Sequence, residues 1–492
     1  MHTTPAVETI PTVEPSEPVG GHPAARVRTF HIQTFGCQMN EHDSERLAGA
    51  LVADGMVATP DLESADVVVF NTCCIRENAD NKFYGHLGDL KMLRESRPDM
   101  QIAVGGCLAQ MDKDRIRQRA SHVDVVFGTH NLTHAPELLR RAAASGPVVE
   151  VLDEPMASTD PTATDQQEAA LAAVRDLPYA AWVTIQTGCN NSCAFCIVPS
   201  VRGGEVSRGM NDLVSEVETL AGRGVTEVTL LGQNVNSYGR DLTRRRPLFA
   251  ELLRKVGAVE GIRRVRFTSP HPKDLGPETI AAMAETDEVC NHLHLPLQSG
   301  SDAILSSMRR GYRADRYLSR LAAARVAVPD LAVTTDLIVG FPGETEDDFE
   351  RTLEVAASAS FDSAYTFIFS PRPGTRAAAM ADRFVPSDVI AERFDRLRTV
   401  IERSALIRHR DRVGRVEEVV VEGPSKRNAD VVTGRTGQNK LVHFTPIDGH
   451  RVATGSYAQV MVTAAARHHL TGDLLAVTAR PSHRVRIPVS SG

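Results

Sequence analysis

The sequence predicts an α/β protein in three parts: a Rossmann-like domain with a parallel sheet, a partial (β/α)6 barrel, and a small C-terminal β-barrel. Three observations predict it. Apolar runs alternate with helical patterns in two long series, the rhythm of βαβ units on parallel sheets. A stretch rich in Pro, Ser, Thr, Asp and Gln, Asp153 to Gln167, separates the series and reads as a linker. After Arg410 the pattern changes to short strands between Gly-containing turns.

Taken in order, residues 1–26 carry Pro, Thr, Glu and Val without a basic segment followed by an apolar one, and are expected to be a disordered lead-in. The first domain, 27–150, has expected strands at Thr29–Phe35, Asp66–Phe70, Gln101–Val104 and Asp124–Phe127, with helices over Ser44–Asp54 and Asn78–Ser96. After a linker at 151–174, the second domain (175–410) has six expected strands: Trp182–Gln186, Glu227–Leu231, Arg264–Thr268, His292–Leu297, Ala332–Val339 and Ala364–Phe369. A helix over Ile390–His409 closes it. The third domain, 411–482, has strands at Val416–Val421, Lys440–Phe444, Tyr457–Thr463 and Leu474–Ala479, followed by a tail at 483–492.

No window reaches the 18 or more consecutive apolar residues of a membrane span, and no export signal is visible. A cytoplasmic protein with its eight cysteines reduced is therefore expected; it is also expected to be a monomer. Clustered cysteines in that setting bind metal or do chemistry more often than they pair. The net charge of −7 hides a local excess: residues 408–486 hold 13 Lys/Arg against 7 Asp/Glu. A basic small barrel suits a phosphate backbone, and Lys426, Arg427, Arg435, Lys440 and Arg451 are its expected contacts.

Cys189, Cys193 and Cys196 (GCNNSCAFC) follow the first strand of the second domain at a C-x3-C-x2-C spacing. Three thiolates on one tight loop leave one iron of a 4Fe–4S cluster open, where an ordinary cluster takes four cysteines and a structural zinc four closed ligands. A zinc knuckle with its fourth ligand elsewhere is the alternative. Cys37, Cys73 and Cys107 are spaced by 36 and 34 residues, one strand–helix unit each. Each follows an expected strand, so in a parallel sheet all three converge on one edge. Gly36 and Gly106 beside them permit close approach. Three buried core cysteines are the alternative there. Cys74 points away from Cys73 in an extended segment and reads as a spare; Cys290 reads as core.

The loop, with Phe195 before its last cysteine, resembles the radical-SAM superfamily. That resemblance implies that S-adenosylmethionine chelates the open iron and is cleaved reductively to a 5′-deoxyadenosyl radical. Gly232, Gln233 and Asn234, and the run Asp336 to Glu344 (DLIVGFPGE) with Gly340 and Gly343, resemble the places where such enzymes contact the cofactor. Arg202 and Arg208 in VRGGEVSRG are candidate partners for its carboxylate or for a substrate phosphate. Glycine-containing turns and surface arginines are the plainer readings of these residues.

Both cysteine groups together resemble the methylthiotransferases, from about Val27 to Arg480. The implied order is a cluster-binding domain, a radical-SAM barrel and a TRAM domain that binds RNA. The resemblance implies two 4Fe–4S clusters, the N-terminal one for sulfur delivery, with S-adenosylmethionine as radical source and methyl donor. It also implies a flavodoxin-type electron donor and proteins that assemble the cluster or donate its sulfur. TFGCQMN (Thr34–Asn40), NTCCIREN (Asn71–Asn78) and EGPSKRN (Glu422–Asn428) resemble the branch acting on carbon 2 of N6-dimethylallyladenosine in the tRNA anticodon stem-loop. Branches acting on threonylcarbamoyl-adenosine or on a ribosomal protein are the alternatives, and a non-catalytic metal-containing RNA-binding protein is a more distant one.

Overall fold

The structure is a computed structural model; it describes residues 27–74, 77–152, 173–175, 177–446 and 452–481. The expected lead-in, most of the linker, Arg451 and the tail lie outside these residues. Among the described residues no helix is long and apolar enough to cross a membrane.

The first domain is a parallel six-stranded sheet in the order β2-β1-β3-β4-β5-β6, with β1 Thr29–Thr34, β2 Val57–Ala58, β3 Val67–Thr72, β4 Gln101–Gly106, β5 Val125–Phe127 and β6 Val148–Glu150. Every residue of β3 and β4 is buried, because helices cover both faces of a parallel sheet. The sequence reading finds the four inner strands. It misses the two edge strands, of two and three residues, which carry too little pattern to register. The helix expected at Ser44 begins earlier, at Gln38, so that Cys37 is its N-cap residue.

In the second domain β7 (Ala180–Thr184) is followed by an antiparallel pair, β8 (Gln186–Thr187) with β9 (Val206–Ser207), which brackets the cysteine loop. The remaining strands are β10 (Glu227–Leu231), β11 (Arg264–Phe267), β12 (His292–His294), β13 (Ala332–Val339) and β14 (Ser363–Ile368). They form two parallel ladders, β7-β10-β11 and β12-β13-β14. Between the ladders a Val265–Val289 bridge makes the join. No ladder pairs β14 with β7 among the described residues, so the barrel is open on that side.

The third domain is a closed five-stranded barrel in the order β15-β16-β17-β19-β18: β15 Val416–Pro424, β16 Val432–Thr436, β17 Leu441–Thr445, β18 Tyr457–Ala465 and β19 Leu470–Ala479. The strand absent from the sequence reading is β16 (VTGRT), whose Gly434 imitates a turn. Here a side chain at that glycine would lie 2.8 Å from Val419 across the ladder.

This barrel is fastened to the second domain by buried charge. Arg264 donates to the carbonyls of Arg435 (2.7 Å) and Glu418 (3.0 Å), and Arg266 to those of Thr436 (2.8 Å) and Gly437 (3.0 Å). Lys440 corrects the expectation of a phosphate contact. Its side chain is 4% exposed and its ammonium meets Asp362 at 2.7 Å, so it joins two domains. Arg435 is turned onto Glu422 at 2.5 Å and is one-third exposed; Lys426 and Arg427 face solvent. Lys440→Ala is therefore expected to lower stability by about 3–5 kcal/mol, by leaving Asp362 buried and unpaired. Replacing both partners with apolar residues should recover most of the loss in urea unfolding. A purely phosphate-binding lysine would instead leave stability intact and lower the salt slope of RNA binding by about one.

Candidate active site

In the first domain, strand ends bring the first cysteine group together. Gly36 has φ +133° and Gly106 φ +94°. A Cβ at Gly36 would lie 2.6 Å from that of Cys73, and one at Gly106 would lie 2.5 Å from the Thr72 carbonyl oxygen. Only glycine admits this approach. Asn40 and Asn71 then lock the edge. Asn40 Nδ2 donates to Asn71 Oδ1 (3.2 Å) and to the Thr72 carbonyl (3.0 Å), and Asn71 Nδ2 returns a bond to the Asn40 carbonyl (2.7 Å). Cys73 and Cys107 are each 3% exposed, and Cys37 is half-buried.

The electrostatics of this group are uneven. A hydrogen bond from Cys74 lowers the Cys107 thiol to about 6, against burial and with help from Arg202. Cys37 is held above its ordinary range by burial, which outweighs Arg202. Cys74, read as a spare, thus sits in the apolar core of the domain while touching a candidate ligand.

The second group lies on the loop between β8 and β9. Gly188 (φ +70°) packs so closely that a Cβ would fall 2.0 Å from the Gly204 carbonyl oxygen. Cys189 N donates to the Gly203 carbonyl at 3.2 Å, and Cys196 N to the Cys193 carbonyl at 3.2 Å. Phe195 is partly buried against Ile304, Met308, Ile338 and Phe341, pinning the loop to the barrel. Burial pushes the Cys196 thiol up to about 12 and raises Cys189. Arg310, 6% exposed, donates to Cys193 Sγ at 3.3 Å.

Those buried guanidinium groups test the fit of a cluster. A neutral thiol offers a buried cation little, whereas a metal-bound thiolate offers it a charge. Among the described residues no three His, Cys, Asp or Glu side chains are placed to share a single ion. In a 4Fe–4S cluster each cysteine bonds a different iron, and each triplet has the thiol chemistry for such a group.

Other expected cofactor contacts divide. Gln233 and Asp336 line the main cavity, where Asp336 lies 3.4 Å from His294 Nε2. Asn234 is buried, donates to Asp274 at 2.9 Å and borders a second cavity of about 220 Å³. Gly232 packs on Gln186, where a Cβ would lie 2.9 Å from its side chain. Gly340 and Gly343 stand at turns. Their positive φ values turn the chain under Ile390 and Arg383, beside the helix Ser387–Arg410. Arg208 is corrected. It is held by Glu216 at 2.7 Å and the Thr184 carbonyl at 3.0 Å. Arg202 turns away from its own loop toward the first cysteine group.

Sequence reasoning missed Arg310 and Glu205. Nothing in the sequence marks Arg310, which follows the turn after the short helix Asp302–Ser307, more than a hundred residues past Cys193. Glu205 borders the second cavity, its carboxyl raised by burial and accepting from Ser237 at 2.8 Å. The Gly203-Gly204 pair before it was the available signal.

Both cysteine groups open on one cavity of about 2120 Å³, with Cys37 and Cys196 on its wall. All three domains border it. The first contributes the mouth of β1, the second the open side of its barrel including Trp182 and Tyr365, and the third Lys426, Arg435 and Lys440.

Comparisons with known proteins agree with this architecture. Residues 183–356 match the radical SAM superfamily, and residues 29–128 match the uncharacterized protein family UPF0004. A solved radical S-adenosylmethionine methyltransferase, TsrM from Kitasatospora setae with cobalamin and a [4Fe-4S] cluster, shares the fold at TM-score 0.51 and 14% identity. That match covers 72% of this chain and 77% of that one. The open barrel with its three-cysteine loop is thus that of a radical SAM enzyme, a class that uses a 4Fe–4S cluster and S-adenosylmethionine.

Relatives narrow the class. The tRNA-2-methylthio-N(6)-dimethylallyladenosine synthase of Acidothermus cellulolyticus is 53% identical over 93% of this chain and 90% of its own length. That of Mycolicibacterium smegmatis is 50% identical over 94% and 90%. The chain belongs to the tRNA-2-methylthio-N(6)-dimethylallyladenosine synthase family.

Proposed function

We propose that this enzyme adds a methylthio group to carbon 2 of N6-dimethylallyladenosine beside the anticodon of tRNA. It does so with one 4Fe–4S cluster on Cys189, Cys193 and Cys196 and another on Cys37, Cys73 and Cys107. The observation that carries the reading is the single cavity onto which both cysteine groups open. A reaction that joins a radical step to sulfur transfer needs both centres to reach one substrate atom. Bound there, the clusters supply the electron that cleaves S-adenosylmethionine and the sulfur of the product.

The chain's own residues do the positioning. Arg310 holds Cys193, and the Asn40–Asn71 lock holds the ends of the strands that carry Cys37 and Cys73. Carbon 2 of adenine bears an unactivated C–H bond with no good acid–base route to substitution, which makes a radical step chemically sensible. An anticodon-loop base can be splayed into the cavity without opening a duplex. Phe195, Phe367 and Phe369 give one wall an apolar surface for it, and Lys426 and Arg435 stand where the backbone would leave. A flavodoxin-type protein would supply the electron, and a separate donor would restore the sulfur.

The test is nucleoside profiling of tRNA by mass spectrometry, with and without the protein. Loss of the 2-methylthio nucleoside and accumulation of N6-dimethylallyladenosine is the expected result. An unchanged tRNA profile with a change on a ribosomal protein would overturn it.

A further inference from the structure

Arg202 ends the short helix Val198–Arg202, which starts two residues after Cys196, yet its side chain belongs to the other cysteine group. Its Nη2 donates to Asp43 Oδ2 at 2.7 Å across 159 positions of sequence, with side chains 8% and 5% exposed. Asp43 lies on the helix Gln38–Ala53 that Cys37 caps. The surrounding segment is sunk into the first domain. Ile197 and Val201 join its apolar core, and Thr129 Oγ1 donates to the Val201 carbonyl at 2.8 Å. The helix Val198–Arg202 packs against the helix Cys107–Asp112, and Ile197 and Val201 share an apolar core with Cys107, so the Arg202–Asp43 pair stands beside the first cysteine group.

We propose that Arg202 is a positioning residue, lent by the second domain, whose buried charge sets the reduction potential of the centre on Cys37, Cys73 and Cys107, with Asp43 opposing it. The inference rests on the reading that this triplet holds a cluster. An oxidised cubane core carries two positive charges, so three thiolates leave the centre one net negative charge. Burial makes that charge costly without a cation nearby. One-electron reduction adds a second negative charge, which Arg202 favours and Asp43 disfavours. Both act through a medium of low polarisability, where such charges strongly bias a cluster's potential. An ion pair without electrostatic reach to the centre would only dock the two domains: losing either partner would loosen the interface and leave the potential where it was.

The experiment uses the full chain with Cys189, Cys193 and Cys196 changed to Ala, so that one centre remains, reconstituted without oxygen with iron and sulfide. Iron content is measured first, and the potential is then read by titration with electron paramagnetic resonance. Arg202→Met is expected to lower the reduced-to-oxidised ratio at fixed potential at least tenfold, a 59 mV fall for a one-electron couple. Asp43→Asn is expected to shift it the opposite way, and Arg202→Lys to stay near the parent. Shifts of the same sign, or none at full iron content, would overturn the inference. Should Arg202→Met fail to hold iron, the Asp43→Asn and Arg202→Lys variants still decide it by the sign and size of their shifts. A parent without iron would instead overturn the two-cluster reading, and this inference with it.

Discussion

Changing Cys189, Cys193 and Cys196 to Ala is expected to abolish formation of 5′-deoxyadenosine from S-adenosylmethionine and to remove about half the iron of the reconstituted protein. Changing Cys37, Cys73 and Cys107 should also remove about half the iron but leave that cleavage measurable. The asymmetry follows from place. The second group lies on a barrel loop beside the small cavity bordered by Glu205 and Asn234, while the first sits at the strand ends of a separate sheet, into whose core Ile197 and Val201 also pack. Each group has three thiols of its own and is therefore expected to take up iron when the other's are removed, although both face the main cavity. The measurement is iron per chain together with chromatography of the cleavage product under dithionite. Cys74→Ala should keep all the iron, since Cys74 is buried in the apolar core as a neighbour of Cys107. Iron content unchanged after the first-group triple substitution would leave only one cluster and reject the reading.

Transfer RNA carrying N6-dimethylallyladenosine is expected to react far faster than the same tRNA with unmodified adenosine at that position. The cavity wall beside the cysteine loop is apolar, with Phe195, Phe367 and Phe369 partly buried around Ile338. Moving a five-carbon chain from water onto such a wall is worth about 2–4 kcal/mol at ~0.8 kcal/mol per CH₂. Expressed only in the transition state, that is roughly a thirty- to thousandfold difference in kcat/KM. Phe367→Ala should narrow the difference mainly by slowing the prenylated substrate. Trp182, the chain's single tryptophan, lines the same cavity and gives an independent binding signal by fluorescence. Equal rates on the two tRNAs would reject the apolar pocket, whatever the product.

Much of this was legible in the sequence because it resides in local signals. A three-cysteine loop after a strand announces its chemistry by residue type and spacing alone. The 36- and 34-residue intervals of the first group match the βαβ repeat, so topology could be inferred from arithmetic. Four inner strands of the first sheet and six of the second domain have enough apolar residues to show their period. The edge strands β2 and β6 and the β8–β9 hairpin, at two or three residues each, do not.

Charged residues were where reading by type failed. Lys440 and Arg202 both looked like surface cations seeking phosphate or carboxylate. Their partners, Asp362 and Asp43, stand 78 and 159 positions away. A lysine on a short strand looks the same whether water or a carboxylate waits opposite, and only packing of two domains decides which. Gly340 and Gly343 show the same limit, since a glycine required by a packed turn and one required by a ligand have the same letter. By itself, the sequence determined the radical SAM class, the three-part order and the sheet types, because cysteine spacing, periodicity and composition act locally. Only the tertiary structure decided which thiols share a cavity, which cations are spent in holding domains together, and which remain for a substrate. Those outcomes depend on contacts between residues far apart in the chain, formed where burial raises the cost of leaving any charge alone.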